Sequence, residues 1–211
     1  SYPRARVSFD EVVQQTYNER ISLSATGYYR TPNIHWNPVE GKGRPFYYFA
    51  YGAAVSEVEV DGLTGTFKLQ KVDIVHDVGQ SLNPFIDQGQ IEGAFVQGMG
   101  WHTMEELVWD DQGRLRTFAP STYKIPTISD VPEHFNVHLL ERAPSNGVIY
   151  GSKAVGEPPF MLAISVREAI RAAVAAFGKT DYIPLNLPAT PEATLTAIDY
   201  VKAHSVVTAK V

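Results

Sequence analysis

The chain contains no cysteine among its 211 residues. That absence excludes a disulfide, a thiolate zinc site, an all-cysteine iron–sulfur cluster and a cysteine nucleophile within the chain. Redox chemistry here requires a cofactor held without protein thiolates, or completion by another chain. Charge is scarce as well. Asp, Glu, Lys and Arg make up 19% of residues against roughly 25% in ordinary soluble domains, which predicts a surface partly covered by other protein. Positive charge is not in excess, and a formal net charge of −5 argues against nucleic-acid or anionic-membrane partners. No run of 18 or more apolar residues exists, and Ser1-Tyr2-Pro3-Arg4 carries no signal-peptide pattern, so a cytoplasmic location is expected. The chain does not begin with Met, which predicts a processed or truncated piece.

What is present suffices for a sizeable core, with 44% hydrophobic residues. The pattern predicts an α+β class, with antiparallel hairpins packed against buried helices, as part of a larger domain. Ser8-Phe9-Asp10-Glu11 has the spacing of a capping box, and Val12, Val13, Tyr17 and Ile21 follow at helical intervals. Residues 46–60 and 66–75 read as two strands joined by the turn Asp61-Gly62-Leu63-Thr64-Gly65. Asn83-Pro84 opens a helix predicted to reach residue 107, in one or two pieces. A second hairpin is expected over residues 107–118, and a strand over 134–140. Helices are predicted over 158–177 and, after Thr190-Pro191-Glu192, to about residue 203. Residues 1–204 are read as one unit, with 205–211 a mobile tail.

Three sets of side chains carry chemistry. Gly151-Ser152-Lys153-Ala154-Val155-Gly156-Glu157-Pro158-Pro159 puts a carboxylate between a small-residue loop and an apolar helix. Glu157 so placed is either a helix cap or a general base, and the helix dipole favours its charged form. Gln90, Gly93 and Gln97 share one helical stripe, two amides flanking bare backbone. Such a stripe either packs tightly against another element or faces a ligand rich in heteroatoms. His134 and His138 share the polar face of a strand without converging, and they do not read as a metal site.

Five separated segments, in order, resemble the xanthine dehydrogenase branch of the molybdenum hydroxylases. They are residues 24–33, Asp77-Val78-Gly79-Gln80-Ser81-Leu82-Asn83-Pro84, residues 89–98, Pro120-Ser121-Thr122-Tyr123-Lys124-Ile125-Pro126, and residues 152–159. The likeness runs from about Ser8 to about Ala203 and lies with the C-terminal part of the molybdopterin-binding region. Lys153 to Pro159 resembles the xanthine branch more than the aldehyde oxidases. His35-Trp36-Asn37-Pro38 departs from the family pattern and is expected to be a surface variation.

The resemblance implies a molybdenum–molybdopterin cofactor that brings its own metal ligands, with no protein residue bound to the metal. It implies that Glu157 deprotonates the Mo–OH group, which then attacks the purine as hypoxanthine becomes xanthine and xanthine becomes urate. Gln90 would contact the pterin, and Val155 and Gly156 would line it through their backbone. It implies further partners: the rest of the molybdenum domain, [2Fe–2S] clusters and FAD on other domains or subunits, NAD as acceptor, and a dimer of the full assembly. Two alternatives stay open, a related hydroxylase of aldehydes or other N-heterocycles and a non-catalytic assembly segment.

Overall fold

The computed structural model describes residues 6–141 and 147–205. They fall into two compact units, Ser1–Tyr47 and Tyr48–Val211. Of the expected tail, residues 206–211 lie outside the described residues.

In the first unit, α1 spans Phe9–Asn18. Its capping box forms as the spacing predicts: the Glu11 amide donates to the Ser8 hydroxyl at 3.2 Å, and the Ser8 amide donates to the Glu11 carboxylate at 2.8 Å. None of its residues is buried, and Phe9, Val12 and Tyr17 stand exposed. The family departure at His35 proves to be a small antiparallel hairpin, β1 (His35–Asn37) with β2 (Lys42–Arg44). Its turn is set by Asn37, whose side-chain oxygen accepts from the amides of Val39 and Glu40 at 3.0 and 3.3 Å.

The second unit holds the core. β3 (Gly52–Val60) and β4 (Phe67–His76) form the expected antiparallel hairpin, and β5 (His134–Leu139) lies on the other side of β4, parallel to it. A parallel neighbour requires a crossover, which runs through α2 (Pro84–Thr103). An extra residue on β4, Gln70, opposes the Glu57/Val58 step and shifts the register there. Side-chain alternation changes phase across it, so Val72, Ile74 and His76 are buried on one side of the bulge and Leu69 on the other. Against this sheet pack Ile91, Phe95 and Met99 of α2, with Val166, Ile170 and Val174 of α3 (Ile164–Ala175). Ala197, Ile198 and Val201 of α4 (Pro191–Ala203) complete the same cluster. Among the described residues no helix is long and apolar enough to cross a membrane.

Four predicted boundaries move, each for a local reason. Residues 46–51 are irregular, because their backbone pairs with distant groups: the Tyr51 carbonyl accepts from the Asp77 amide at 2.7 Å. The long helix stops at Thr103, where Thr103 Oγ1 donates to the Met99 carbonyl at 2.7 Å and the Gly100 carbonyl takes the amides of both Met104 and Glu105. The second hairpin reduces to one bridge, Trp109 to Leu115, because Asp110 gathers the amides of Gln112 and Arg114 into a turn. Finally, residues 158–163 form a 3₁₀ helix before α3, with Phe160 backbone pressed against the bare Cα of Gly98. A Cβ on Gly98 would stand 2.5 Å from the Phe160 carbonyl oxygen. In α3 the polar residues are tied to their surroundings: Arg171 donates to Glu168 at 2.8 Å, and Arg167, half-buried, donates through Nη2 to the Leu185 carbonyl at 2.8 Å.

Candidate functional site

The site is assembled from two turns at the end of β4. On leaving β4, the chain passes through Asp77, Val78 and Gly79. Gly79 has φ of +63°, and its bare Cα meets the Gly151 carbonyl, so any side chain there collides. This approach lets residues 78–80 and 151–153 bridge: the Gln80 amide donates to the Gly151 carbonyl at 2.8 Å, and the Lys153 amide to the Val78 carbonyl at 2.9 Å. The loop carrying Glu157 is thereby strapped onto the first turn after β4.

Lys153 reaches back through the strap. Its ammonium donates to Asp77 Oδ2 at 2.6 Å and to the Phe49 carbonyl at 2.9 Å, and it sits 5.8 Å from the Tyr51 ring centroid. The side chains are 7% and 0% exposed, so this is a buried ion pair. The second oxygen of Asp77 accepts from the Gly79 amide at 2.9 Å. His76, beside the pair, is buried, and neither ring nitrogen has a partner among the described residues. Burial pushes its imidazole below the ordinary value of 6.5; the Asp77 charge opposes that shift and the Lys153 charge adds to it. Sequence reasoning missed Lys153 and Asp77 as partners, although both lie inside motifs already singled out.

Beyond Lys153 the strap opens. The Ala154 amide donates to the Tyr48 hydroxyl at 2.9 Å, and Val155 packs against the core. Gly156 and Glu157 are exposed. Glu157 precedes the 3₁₀ helix by position, but its side chain makes no capping hydrogen bond. The capping role that the sequence allowed it is therefore not formed.

Gln90, Gly93 and Gln97 are all exposed on α2. A Cβ on Gly93, or on Gly89, would meet nothing within 4 Å. Tight packing does not explain this stripe; the α2 glycines that pack tightly are Gly98 and Gly100. The structure brings Gln90 to the strap, since a Cβ built on Gly156 would lie 3.5 Å from Gln90 Oε1. Gln97 lies two turns further along the helix. An exposed amide thus lies against the open backbone of Gly156, with the exposed Glu157 next in the chain, a set of groups that suits a polar heterocycle held by hydrogen bonds. Among the described residues no group of three or more His, Asp or Glu is placed to hold a metal ion. An apolar cleft of about 480 Å³ is lined by Leu107, Phe118, Tyr123 and Ile125, none of them strap residues.

Residues 2–132 match the family described as molybdopterin cofactor-binding domain. Xanthine dehydrogenase of Oryza sativa is 52% identical over 196 residues, covering 88% of this chain and 14% of the relative. Xanthine dehydrogenase/oxidase of Mus musculus is 52% identical over 192 residues, with the same two shares. The chain thus spans about 14% of the length of the curated relatives it matches. Among solved structures, aldehyde oxidoreductase from Desulfovibrio gigas superposes with a TM-score of 0.67 at 25% identity, over 88% of this chain and 20% of that one. Quinoline 2-oxidoreductase from Pseudomonas putida gives 0.60 at 33% identity, over 67% and 18%.

Proposed function

The chain belongs to the molybdopterin cofactor-binding domain family, and from that premise we propose that it is the C-terminal portion of the catalytic domain of a xanthine dehydrogenase. In this proposal Glu157 is the general base for purine hydroxylation, hypoxanthine to xanthine to urate. The observation that carries it is the Gln90 amide standing over Gly156, beside a carboxylate that is exposed and engaged in no cap. Identity of 52% to xanthine dehydrogenases supports the purine assignment. Gln90 lies inside the matched residues 2–132, and Glu157 lies beyond them.

The residues present fit the cofactor. Molybdopterin brings its own sulfur ligands, so a cysteine-free chain needs to offer only hydrogen bonds and room, and the face of Gln90 and Gly156 offers both. When bound, the group supplies the two-electron redox chemistry of hydroxylation. The Gln90 amide, with two donors and an acceptor, holds the pterin edge. Val155 and Gly156 line it with backbone, and Val155 anchors that stretch by burying its side chain. Glu157 takes a proton onto a carboxylate oxygen and thereby activates the oxygen that attacks the purine, which demands that it be ionised and within hydrogen-bond reach. Substrate-orienting groups, [2Fe–2S] clusters, FAD and the NAD site are assigned to other domains or subunits, and the whole assembly to a dimer.

The test is xanthine-dependent NAD⁺ reduction by the complete assembly carrying Glu157→Gln, with molybdenum content assayed on the same sample. Retained molybdenum with lost turnover supports the base; retained turnover refutes it. The likeness to quinoline 2-oxidoreductase and aldehyde oxidoreductase favours a second reading, hydroxylation of another N-heterocycle or of an aldehyde. Relative kcat/KM for xanthine, quinoline and an aromatic aldehyde separates the two.

A further inference from the structure

We propose that Lys153 is a positioning residue: its buried pairing with Asp77 sets where Gly156 and Glu157 stand relative to Gln90. The proposal rests on the function assigned above to Glu157.

The strap has an anchor at each end: residues 151–154 before Val155, and after it the 3₁₀ helix, where the Glu157 carbonyl accepts from the Phe160 amide at 3.0 Å and Pro159 and Ala163 are buried. Before Val155 the ties are the Gln80 amide to the Gly151 carbonyl, the Lys153 amide to the Val78 carbonyl, Lys153 Nζ to Asp77 and Phe49, and the Ala154 amide to the Tyr48 hydroxyl. The two backbone bonds fix the strap along β4's exit. The ammonium fixes it in the perpendicular direction, by reaching inward through the layer to a carboxylate and a carbonyl. After these, Val155 adds only side-chain packing, and Glu157's own side chain contacts nothing that would hold it. Gly156 and Glu157 therefore hang between two anchors, residues 151–154 and the 3₁₀ helix, and the ion pair sets the first of them.

An apolar side chain of similar length at 153 would bury well, yet it could not select one depth. A charge that is almost wholly enclosed can. Lys153 has one low-energy location, opposite Asp77 Oδ2, and sliding the strap by one residue or lifting it strands both charges in a medium that solvates them poorly. Asp77 is itself fixed, because its other oxygen takes the Gly79 amide and its backbone amide donates to Tyr51. The pair is thus a register pin between two loops 76 positions apart in sequence. A general base is sensitive to such a pin, since a displacement of about 1 Å can cost on the order of 10²-fold in rate.

The test uses the complete assembly in three forms: Lys153→Met, the double variant Asp77→Leu/Lys153→Met, and Glu157→Gln. Amide hydrogen exchange is followed in peptides covering 148–157 and 191–203, alongside molybdenum content, kcat and KM for xanthine. The double variant carries no stranded charge, so it reports the lost pin even if the single variant folds poorly. In the double variant, exchange over 148–157 should rise about tenfold or more while 191–203 is unchanged. Its kcat should fall on the order of 10²-fold with KM little altered. Unchanged exchange over 148–157 overturns the proposal, as does an equal rise in both peptides, which makes the pair general scaffolding. Glu157→Gln should lose turnover with exchange unchanged. If it keeps turnover, the assignment of Glu157 fails, while the exchange result still decides whether Lys153 pins the strap.

Discussion

The two halves of the strap differ in everything except their position in one loop. Residues 151–154 are tied by backbone bridges, a tyrosine hydroxyl and a buried ion pair, whereas Gly156 and Glu157 are exposed and the Glu157 side chain caps nothing. The tied half on one side and the 3₁₀ helix on the other hold the short stretch between them, so the Glu157 side chain can be placed without contacts of its own. For the base proposed above, local hydrogen bonds to the carboxylate would only compete with the proton it is to take. Its location is better set from behind.

The largest effect belongs to the free half. Glu157→Gln should lower kcat by about 10²–10⁴-fold with molybdenum retained and thermal stability unchanged, because the side chain supports nothing in the fold. Steady-state kinetics and a melting curve on one sample check both parts. A fall in melting temperature with intact turnover would invert the comparison.

The tied half should behave in the opposite way. Asp77→Leu strands the Lys153 ammonium in the interior, at a cost of about 3–5 kcal/mol, whereas Asp77→Leu/Lys153→Met should restore most of that stability. Denaturant unfolding of both variants checks this. Stability recovered without recovered turnover is the signature of a pin, distinct from glue.

Sequence alone made the local parts of this organisation legible. The caps at Ser8, Asn83 and Thr190 form as their residue types dictate, because a cap involves only neighbours in the chain. α1 and α4 are equally well capped, yet α1 buries nothing while α4 buries Thr194, Ala197, Ile198 and Val201. Capping is written locally; burial depends on what arrives from elsewhere. The same limit hid the parallel partner of β4 and the irregular path of residues 46–51, whose carbonyls at Phe49 and Tyr51 are taken by Lys153 and Asp77. At the site, Glu157 and Gln90 stood out as polar groups in unusual settings. Lys153 did not, since a lysine beside a glycine loop reads as solvated until its partner is known.

A smaller effect comes from His76, next to the pair. With its folded pKa held below 6.5 by burial, its neutral form is the native one, and the unfolded chain takes up a proton first as pH falls. The stability it contributes is complete above about pH 6.5 and is lost as pH falls through the folded pKa, at no more than about 1.4 kcal/mol per pH unit. Asp73 and Glu168, held down by Lys71 and Arg167, act in a separate and more acidic window. Melting temperatures measured from pH 7.5 to 5.5 should drop, and His76→Gln should flatten that slope. A slope unchanged by the substitution assigns the acid sensitivity to another group.

The smallest effect separates the open stripe on α2 from an ordinary solvated helix face. Gly93 has nothing within 4 Å of where a Cβ would be, so Gly93→Ala should meet no steric penalty from this chain. Ala also forms helix better than Gly by about 1 kcal/mol, and local exchange in α2 should slow accordingly. If the face between Gln90 and Gln97 receives the pterin, the added methyl intrudes on the cofactor and molybdenum content falls as the helix gains stability. The two readouts then move in opposite directions, which no purely structural role for Gly93 can produce. A variant that is more stable and fully loaded with molybdenum would mean that this stripe faces solvent, and that cofactor contact along α2 ends at Gln90.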